Sequence, residues 1–240
     1  MNWTGVIAID GPAGAGKSTV AKLVAERLGI RYLDTGALYR ALAFFLNDAS
    51  IPPEESKELK RALFDVTVEV RKSSVLLNGQ DVSALIRTPA VDRIASVYSA
   101  LPSVREKLLD LQREQALSGA LVADGRDMGT VVFPLAPVKI FLTASAEVRA
   151  RRRYDEQMAR CGGVSYEKIL EEIRRRDDAD AQRQLAPLKK APDAVLIDSS
   201  DLDAHQVASA IIDIAGRLCH ALILFLLFCQ RCMLSVFVSS

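Results

Sequence analysis

The chain has 240 residues, half of them hydrophobic and a quarter charged, with a formal net charge of +1. That length suits one large domain, or a core with a modest insert, and is enough to bury a real core. The near-neutral balance excludes a global pull toward nucleic acid or a membrane surface, so any basic site must be local.

Met1–Thr4 carry no charged leader and the apolar run Val6–Ile9 is too short for a signal peptide. Cys161, Cys219, Cys229 and Cys232 form no spaced framework, which points to a reducing, cytoplasmic setting. The two histidines, His205 and His220, both lie near the C-terminus, so imidazole chemistry is not expected in the main body.

Val6–Ile9 reads as a buried strand ending at Asp10. It runs straight into "GPAGAGKS", Gly11–Ser18, which matches G-x-x-x-x-G-K-S/T between a strand and an amphipathic helix. Glycines in such a loop let successive N–H groups turn inward as an anion nest at a helix N-terminus. Gly11, Pro12, Ala13, Gly14, Ala15, Gly16, Lys17, Ser18 and Thr19 are therefore expected to cradle a nucleotide triphosphate. Lys17 would face its β- and γ-phosphates and Ser18 would face Mg²⁺. Lys17–Leu28 then reads as a helix, with Val20, Leu23, Val24 and Leu28 on one face and Gly29 as its C-cap.

Tyr32–Leu33 is a second strand before "DTG" (Asp34–Gly36), read as a small loop followed by a helix at Leu38–Leu46 that carries Arg40. Asp65–Ser83 breaks the rhythm: Val66, Val68 and Val70 alternate, and an Asn-Gly turn follows Val75–Leu77. This predicts an antiparallel insert from Val66 to about Ser96. Val104–Leu117 reads as a helix, and Leu121–Ala123 as a strand ending in "DGRD". Alone that tetrapeptide is an ordinary turn. After a strand it faces the ligand crevice, where Asp124 suits a metal-bound water and Arg126 a phosphate.

Val138–Ser145 and Ala194–Ser200 are further strands, and Glu147–Arg160, Tyr166–Arg176 and Ala204–Leu218 further helices. Alternating strands and helices imply an α/β core with a parallel sheet. Arg149, Arg152 and Arg153 share a face at i, i+3, i+4 spacing ahead of the Cys161–Gly163 joint. With a phosphate loop present, two charged helices hinged there suit a lid that brings arginines to a transferring phosphoryl group. Within Arg174–Arg176, read as the end of the second helix, some arginines serve only its C-terminal dipole.

The N-K-x-D and D-x-x-G signals of GTPases are missing, and "LSGALVADG" only superficially resembles an ABC signature. Instead "YLDTGALYRAL", "IRTPAVDRIAS", "LPSVREKLLDLQRE", "VADGRDMGTVVFP", "KIFLTAS", "RRRDDADAQRQLAPLKKA" and the phosphate loop together resemble the bacterial cytidylate kinases, in order from about Val6 to Leu218. The resemblance implies the nucleoside-monophosphate-kinase fold: a five-stranded parallel sheet, an enlarged substrate insert and a mobile lid. It implies a core over 1–218, with the insert at about 64–97 and the lid at about 149–165.

The same resemblance implies transfer of the ATP γ-phosphoryl group to CMP or dCMP by a monomer. Thr35, Arg40 and Arg126 would hold the acceptor phosphate, and Ser96, Arg105 and Arg183 would read cytosine. Arg176 and Asp180 would hold the ribose with Asp127 nearby, and Lys17, Arg126, Arg152 and Arg153 would act in catalysis. The rivals are another small-molecule kinase on this core, such as an adenylate or shikimate kinase, and a non-catalytic sensor whose lid moves on ATP binding. The antiparallel insert and "DGRDMGT" favour the cytidylate reading.

The tail Cys219–Ser240 departs from the resemblance. Its apolar run is broken by Gln230 and Arg231 and is too short to span a bilayer. A foreign end, packing on the body or a partner, and a membrane-interface helix all fit its composition. "CQRC" has neither the βαβ context of a redox pair nor a second ligand pair at workable zinc spacing.

Overall fold

A computed structural model describes residues 3–71, 74–160 and 165–218. The Cys161–Gly163 joint and the tail 219–240, with its "CQRC", lie outside the described residues.

Five strands form the parallel sheet: β1 (Val6–Asp10), β2 (Arg31–Asp34), β6 (Leu121–Gly125), β7 (Val138–Thr143) and β8 (Val195–Asp198). Their order is β2-β6-β1-β7-β8, with Ala8 opposite Ala123 on one side and Lys139 on the other. The strands are short, and their residues alternate between two cores as a period of two requires. Ile7, Ile9, Val122, Ile140 and Leu142 pack with α1 (Lys17–Leu28) and α8 (204–218) on one face. Ala8, Leu121 and Ala123 pack with α2 (Thr35–Asp48) and α5 (Pro102–Leu117) on the other.

The antiparallel sheet is β3 (Val68–Arg71), β4 (Ser74–Leu77) and β5 (Gln80–Asp81). Asn78 and Gly79 have φ of 48° and 83°, the doubly left-handed geometry for which an Asn-Gly hairpin turn is chosen. The rest of the predicted insert differs from expectation. Its antiparallel part stops at Asp81, and α4 (Pro89–Tyr98) follows as a helix with Thr88 accepting from Val91 N as its cap. A further helix, α3 (Lys57–Asp65), is capped by Ser56. Both begin with ordinary signals, a hydroxyl N-cap and, for α4, proline in the first turn.

The helices α6 (Ala146–Arg160) and α7 (Tyr166–Gln182) pack on each other beyond the carboxyl end of the sheet. Helix α7 runs past Arg176 to Gln182, so Arg174–Arg176 sit mid-helix and are not C-terminal dipole partners. Arg174 pairs with Glu147 at 2.9 Å, while Arg176 faces a cavity. Helix α2 also starts earlier than predicted: Asp34 caps it by accepting from Ala37 N at 2.8 Å, so "DTG" is a strand-to-helix switch with no loop.

The loop between β1 and α1 admits no side chain at its first position. Gly11 has φ of 150°, and a Cβ there would lie 1.9 Å from the Leu142 carbonyl oxygen of β7. Both the strained φ and the backbone clash penalise any substitution. Gly11→Ala is expected to cost about 3 kcal/mol or more. For a chain of this size that lowers Tm by roughly 6–12 °C. Thermal unfolding followed by circular dichroism measures it, and an unchanged Tm would remove the steric argument.

Candidate active site

The carboxyl ends of β1, β2 and β6 converge on two cavities, about 240 and 420 Å³, separated by the phosphate loop. Among the described residues, Gly14, Lys17, Ser18 and Arg153 line both. Ligand crevices outside the carboxyl ends of strands are expected of open α/β sheets.

Lys17 opens α1 with its side chain buried, and its Nζ donates to the Pro12 carbonyl at 2.8 Å. Burial, reinforced by the Arg126 charge, pulls the Lys17 pKa well below the ordinary lysine value. An ammonium held that way is stabilised by added negative charge, which is what a phosphate brings.

Ser18 Oγ donates to Asp124 Oδ2 at 2.8 Å, and the Tyr32 hydroxyl donates to Asp124 Oδ1 at 2.8 Å. Burial and the neighbouring Asp34 raise the Asp124 pKa, against the pull of Lys17 and of these two hydrogen bonds. Asp10, at the end of β1, accepts from the Met128 and Gly129 backbone amides, each at 2.7 Å. Those residues open a π-helical turn, Met128–Val132, so Asp10 pins the segment that follows "DGRD". Burial pushes the Asp10 pKa up to about 6 in spite of the two amides.

Among the described residues, six arginines line the smaller cavity: Arg40, Arg105, Arg126, Arg153, Arg176 and Arg183. Its carboxylates hold four of them. Arg40 lies 3.2 Å from Asp34, Arg126 lies 2.7 Å from Asp180, Arg153 lies 3.0 Å from Asp92, and Arg105 pairs with the buried Asp127. Arg105 also donates to Ser99 O at 3.2 Å and sits 5.6 Å over the Tyr39 ring, so both its edges and one face are fixed. Burial raises the Asp127 pKa against Arg105 and Arg183, whereas at Asp180 the arginines outweigh burial and hold the carboxyl low.

Arg183 Nε donates to Ala186 O at 2.7 Å. Its Nη2 and the Arg176 Nε are buried with no partner among the described residues. Burial lowers the Arg176 pKa to about 10. Both side chains line the smaller cavity, and buried donors left unpaired there call for a partner.

Thr35, with Oγ1 donating to Asp124 O at 2.6 Å, and Ser96 of α4 complete the wall. Every residue to which the resemblance assigns a role in acceptor binding thus lines this one cavity.

The larger cavity is lined by Gly14–Val20, Arg152, Glu156 and the segment from Ser199 to Val207. The α6 arginines have separate targets, although their spacing puts them on one face. Arg149 is buried under the loop, bonding Ala144 O at 2.8 Å and Ala13 O at 3.0 Å and pairing with Asp177 at 2.7 Å. Arg152 holds Ser199 through Oγ at 3.1 Å and through its carbonyl. Only Arg153 of the three reaches both cavities. Asp10, Tyr32, Tyr39 and Asp92 are site residues that the motif reading did not single out. Their partners lie far off in the chain, and Asp92 figured only within "IRTPAVDRIAS", one of the stretches that carry the resemblance.

A family model described as cytidylate kinase matches residues 7–217. The chain is 50% identical over 213 residues to a cytidylate kinase of Fervidobacterium nodosum, covering 89% of this chain and 97% of that protein. It is 48% identical to one of Carboxydothermus hydrogenoformans, covering 88% and 97%, and 51% identical to one of Pseudomonas paraeruginosa, covering 86% and 93%.

Proposed function

The chain belongs to the cytidylate kinase family, and from that membership we infer how its residues divide the work of phosphorylating CMP or dCMP with ATP, for pyrimidine nucleotide metabolism. The observation that carries the assignment is two cavities meeting at Lys17, Ser18 and Arg153, the smaller walled by arginines. ATP enters the larger cavity with its phosphates on the amides of Gly11–Thr19. The acceptor enters the smaller one, with Thr35, Arg40 and Arg126 on its phosphate. Ser96, Arg105 and Arg183 take the cytosine, and Arg176 and Asp180 the ribose, with Asp127 fixing Arg105.

An acceptor phosphate oxygen is already ionised at neutral pH, so it attacks the γ-phosphorus without a general base. Catalysis is then positioning and charge stabilisation. Lys17 follows the charge moving onto the β–γ bridge. Arg153 faces the transferring group from the other side, while Arg126 holds the attacking phosphate and Arg152 adds positive charge in the donor cavity.

Ser18 Oγ and the Asp124 carboxylate offer hard oxygen donors within 2.8 Å of each other, which fits Mg²⁺. Among the described residues no cluster of three or more histidine, cysteine or acidic side chains could hold a metal, so phosphates and water would complete the shell. Bound there, the ion would neutralise charge on the phosphate oxygens.

The insert at about 64–97 and the lid at about 149–165 belong to this proposal as parts of one core, 1–218. So does a monomer in the cytoplasm, since one chain lines both cavities and the substrates are intracellular nucleotides. No described helix is long and apolar enough to cross a membrane.

A coupled ADP-release assay with CMP, dCMP, UMP, AMP and shikimate as acceptors tests the reading. CMP and dCMP are expected to turn over, with AMP and shikimate slower by at least about a hundredfold in kcat/KM. An ATP-dependent shape change without CDP formation would instead support a sensor.

A further inference from the structure

Three of the arginine–carboxylate pairs in the acceptor cavity join residues of the acceptor wall to each other. The fourth is different. Arg153 of α6 donates through Nη2 to Asp92 Oδ2 of α4 at 3.0 Å, across 61 residues of chain. Helix α4 packs on α2, and α6 packs on α7, so this pair runs from one packed helix pair to the other. Arg40 Nη1 also approaches Asp92 Oδ1 to 3.9 Å, and the same carboxylate acts on the Arg176 charge. Asp92 therefore sits between two cations of the acceptor cavity, Arg40 and Arg153.

We propose that Asp92 is a positioning residue for phosphoryl transfer, holding the Arg153 guanidinium at the junction of the two cavities. The proposal rests on the assignment of Arg153 to the transferring group. Arg149 and Arg152 are each anchored by several oxygen acceptors, whereas Arg153 has Asp92 as its only hydrogen-bond partner among the described residues. A guanidinium carries five N–H donors, and one carboxylate oxygen uses one of them here. Nε and Nη1 stay available to phosphate oxygens while the plane is held.

The pair's side chains are about a quarter exposed, 24% and 28%. An ion pair that accessible adds little to stability, so its loss is read in turnover and not in folding. Asp92 also lies on the helix that brings Ser96 to the base, so the pair connects the base-reading wall to the phosphoryl-facing arginine.

The test is a double-mutant cycle on the full chain with Asp92→Asn and Arg153→Ala, measuring kcat and both KM values, with thermal unfolding as the folding control. Arg153→Ala is expected to lower kcat by about a hundredfold or more. Asp92→Asn is expected to lower kcat by about tenfold, with KM for ATP and CMP within about twofold of wild type. The double variant should be no slower than Arg153→Ala alone, since Asp92 acts through Arg153. Asp92→Glu, which keeps the charge, should recover part of the loss.

Near-normal turnover in Arg153→Ala would overturn the assignment of Arg153. A slow Arg153→Ala combined with wild-type kcat in Asp92→Asn, or with additive losses in the double variant, would overturn the role of Asp92 alone.

Discussion

Lys17→Ala is expected to lower kcat by at least about a hundredfold to a thousandfold, the usual loss when one charge donor to a transition state is removed. The lysine stands where the two cavities meet and has a single fixed bond, to Pro12 O at 2.8 Å. That carbonyl leaves two of its three ammonium donors for phosphate oxygens. Burial and the Arg126 charge depress its pKa, so the fold already bears a cost for keeping this group charged. A folded pKa below the unfolded value means that the charged lysine subtracts from stability at neutral pH. The alanine variant is therefore expected to melt no lower than wild type from this cause. Single-turnover phosphoryl transfer, with circular dichroism as the control, measures both; near-normal turnover would defeat the mechanism.

CMP is expected to be preferred over UMP by at least about a hundredfold in kcat/KM. Cytosine offers acceptors at O2 and N3 and a donor amine at N4, whereas uracil places a donor at N3 and an acceptor at O4. Arginine can only donate, and a serine hydroxyl can do either. Arg105 is held on Asp127, Ser99 O and the Tyr39 ring, and Arg183 keeps a buried Nη2 with no partner among the described residues. Neither can adapt to a uracil N3–H. Leaving one buried group unpaired costs about 1–3 kcal/mol, and more when it is charged.

Arg183→Met is the cleaner of the two arginine variants. Arg105→Met would also strand the buried Asp127 without its ion pair, and losing one partner of such a pair is strongly destabilising. Both should harm cytosine recognition more than Ser96→Ala, whose hydroxyl can reorient. Acceptor kinetics with CMP and UMP on the wild type and the three variants decide it. Equal use of UMP by the wild type would make the site a general pyrimidine pocket.

The phosphate loop and the parallel core were legible because their signals are local. A β-branched run, a glycine loop and an amphipathic helix are contiguous in Val6–Leu28. Helices α3 and α4 carried equally local signals, Ser56 and the Thr88-Pro89 pair. The valine alternation at Val66–Val70 extends the antiparallel reading over α4, whereas α3 precedes that segment and its cap stands outside the reading.

The roles of Asp10 and Tyr32 were not legible at all. Asp10 meets its amides 118 and 119 positions away, and Tyr32 meets Asp124 across 92. No motif encodes such distances, which exist only once β2, β6 and β1 are in register. The arginine runs fell between these cases. Spacing placed Arg149, Arg152 and Arg153 on one face, but which of them reaches the cleft depends on what α6 lies against.

Among the described residues, four are shared between two otherwise distinct walls, and this bears on how such a protein can change over generations. The donor wall is drawn mostly from 14–20 and 199–207, whereas the acceptor wall comes from α2, α4, α5, the "DGRD" segment and α7. Variation in one wall can accumulate while the other stays as it is, provided Gly14, Lys17, Ser18 and Arg153 are kept. On the proposed assignment, a different monophosphate can then be accommodated by changes in the acceptor wall alone, with the phosphate loop left in place.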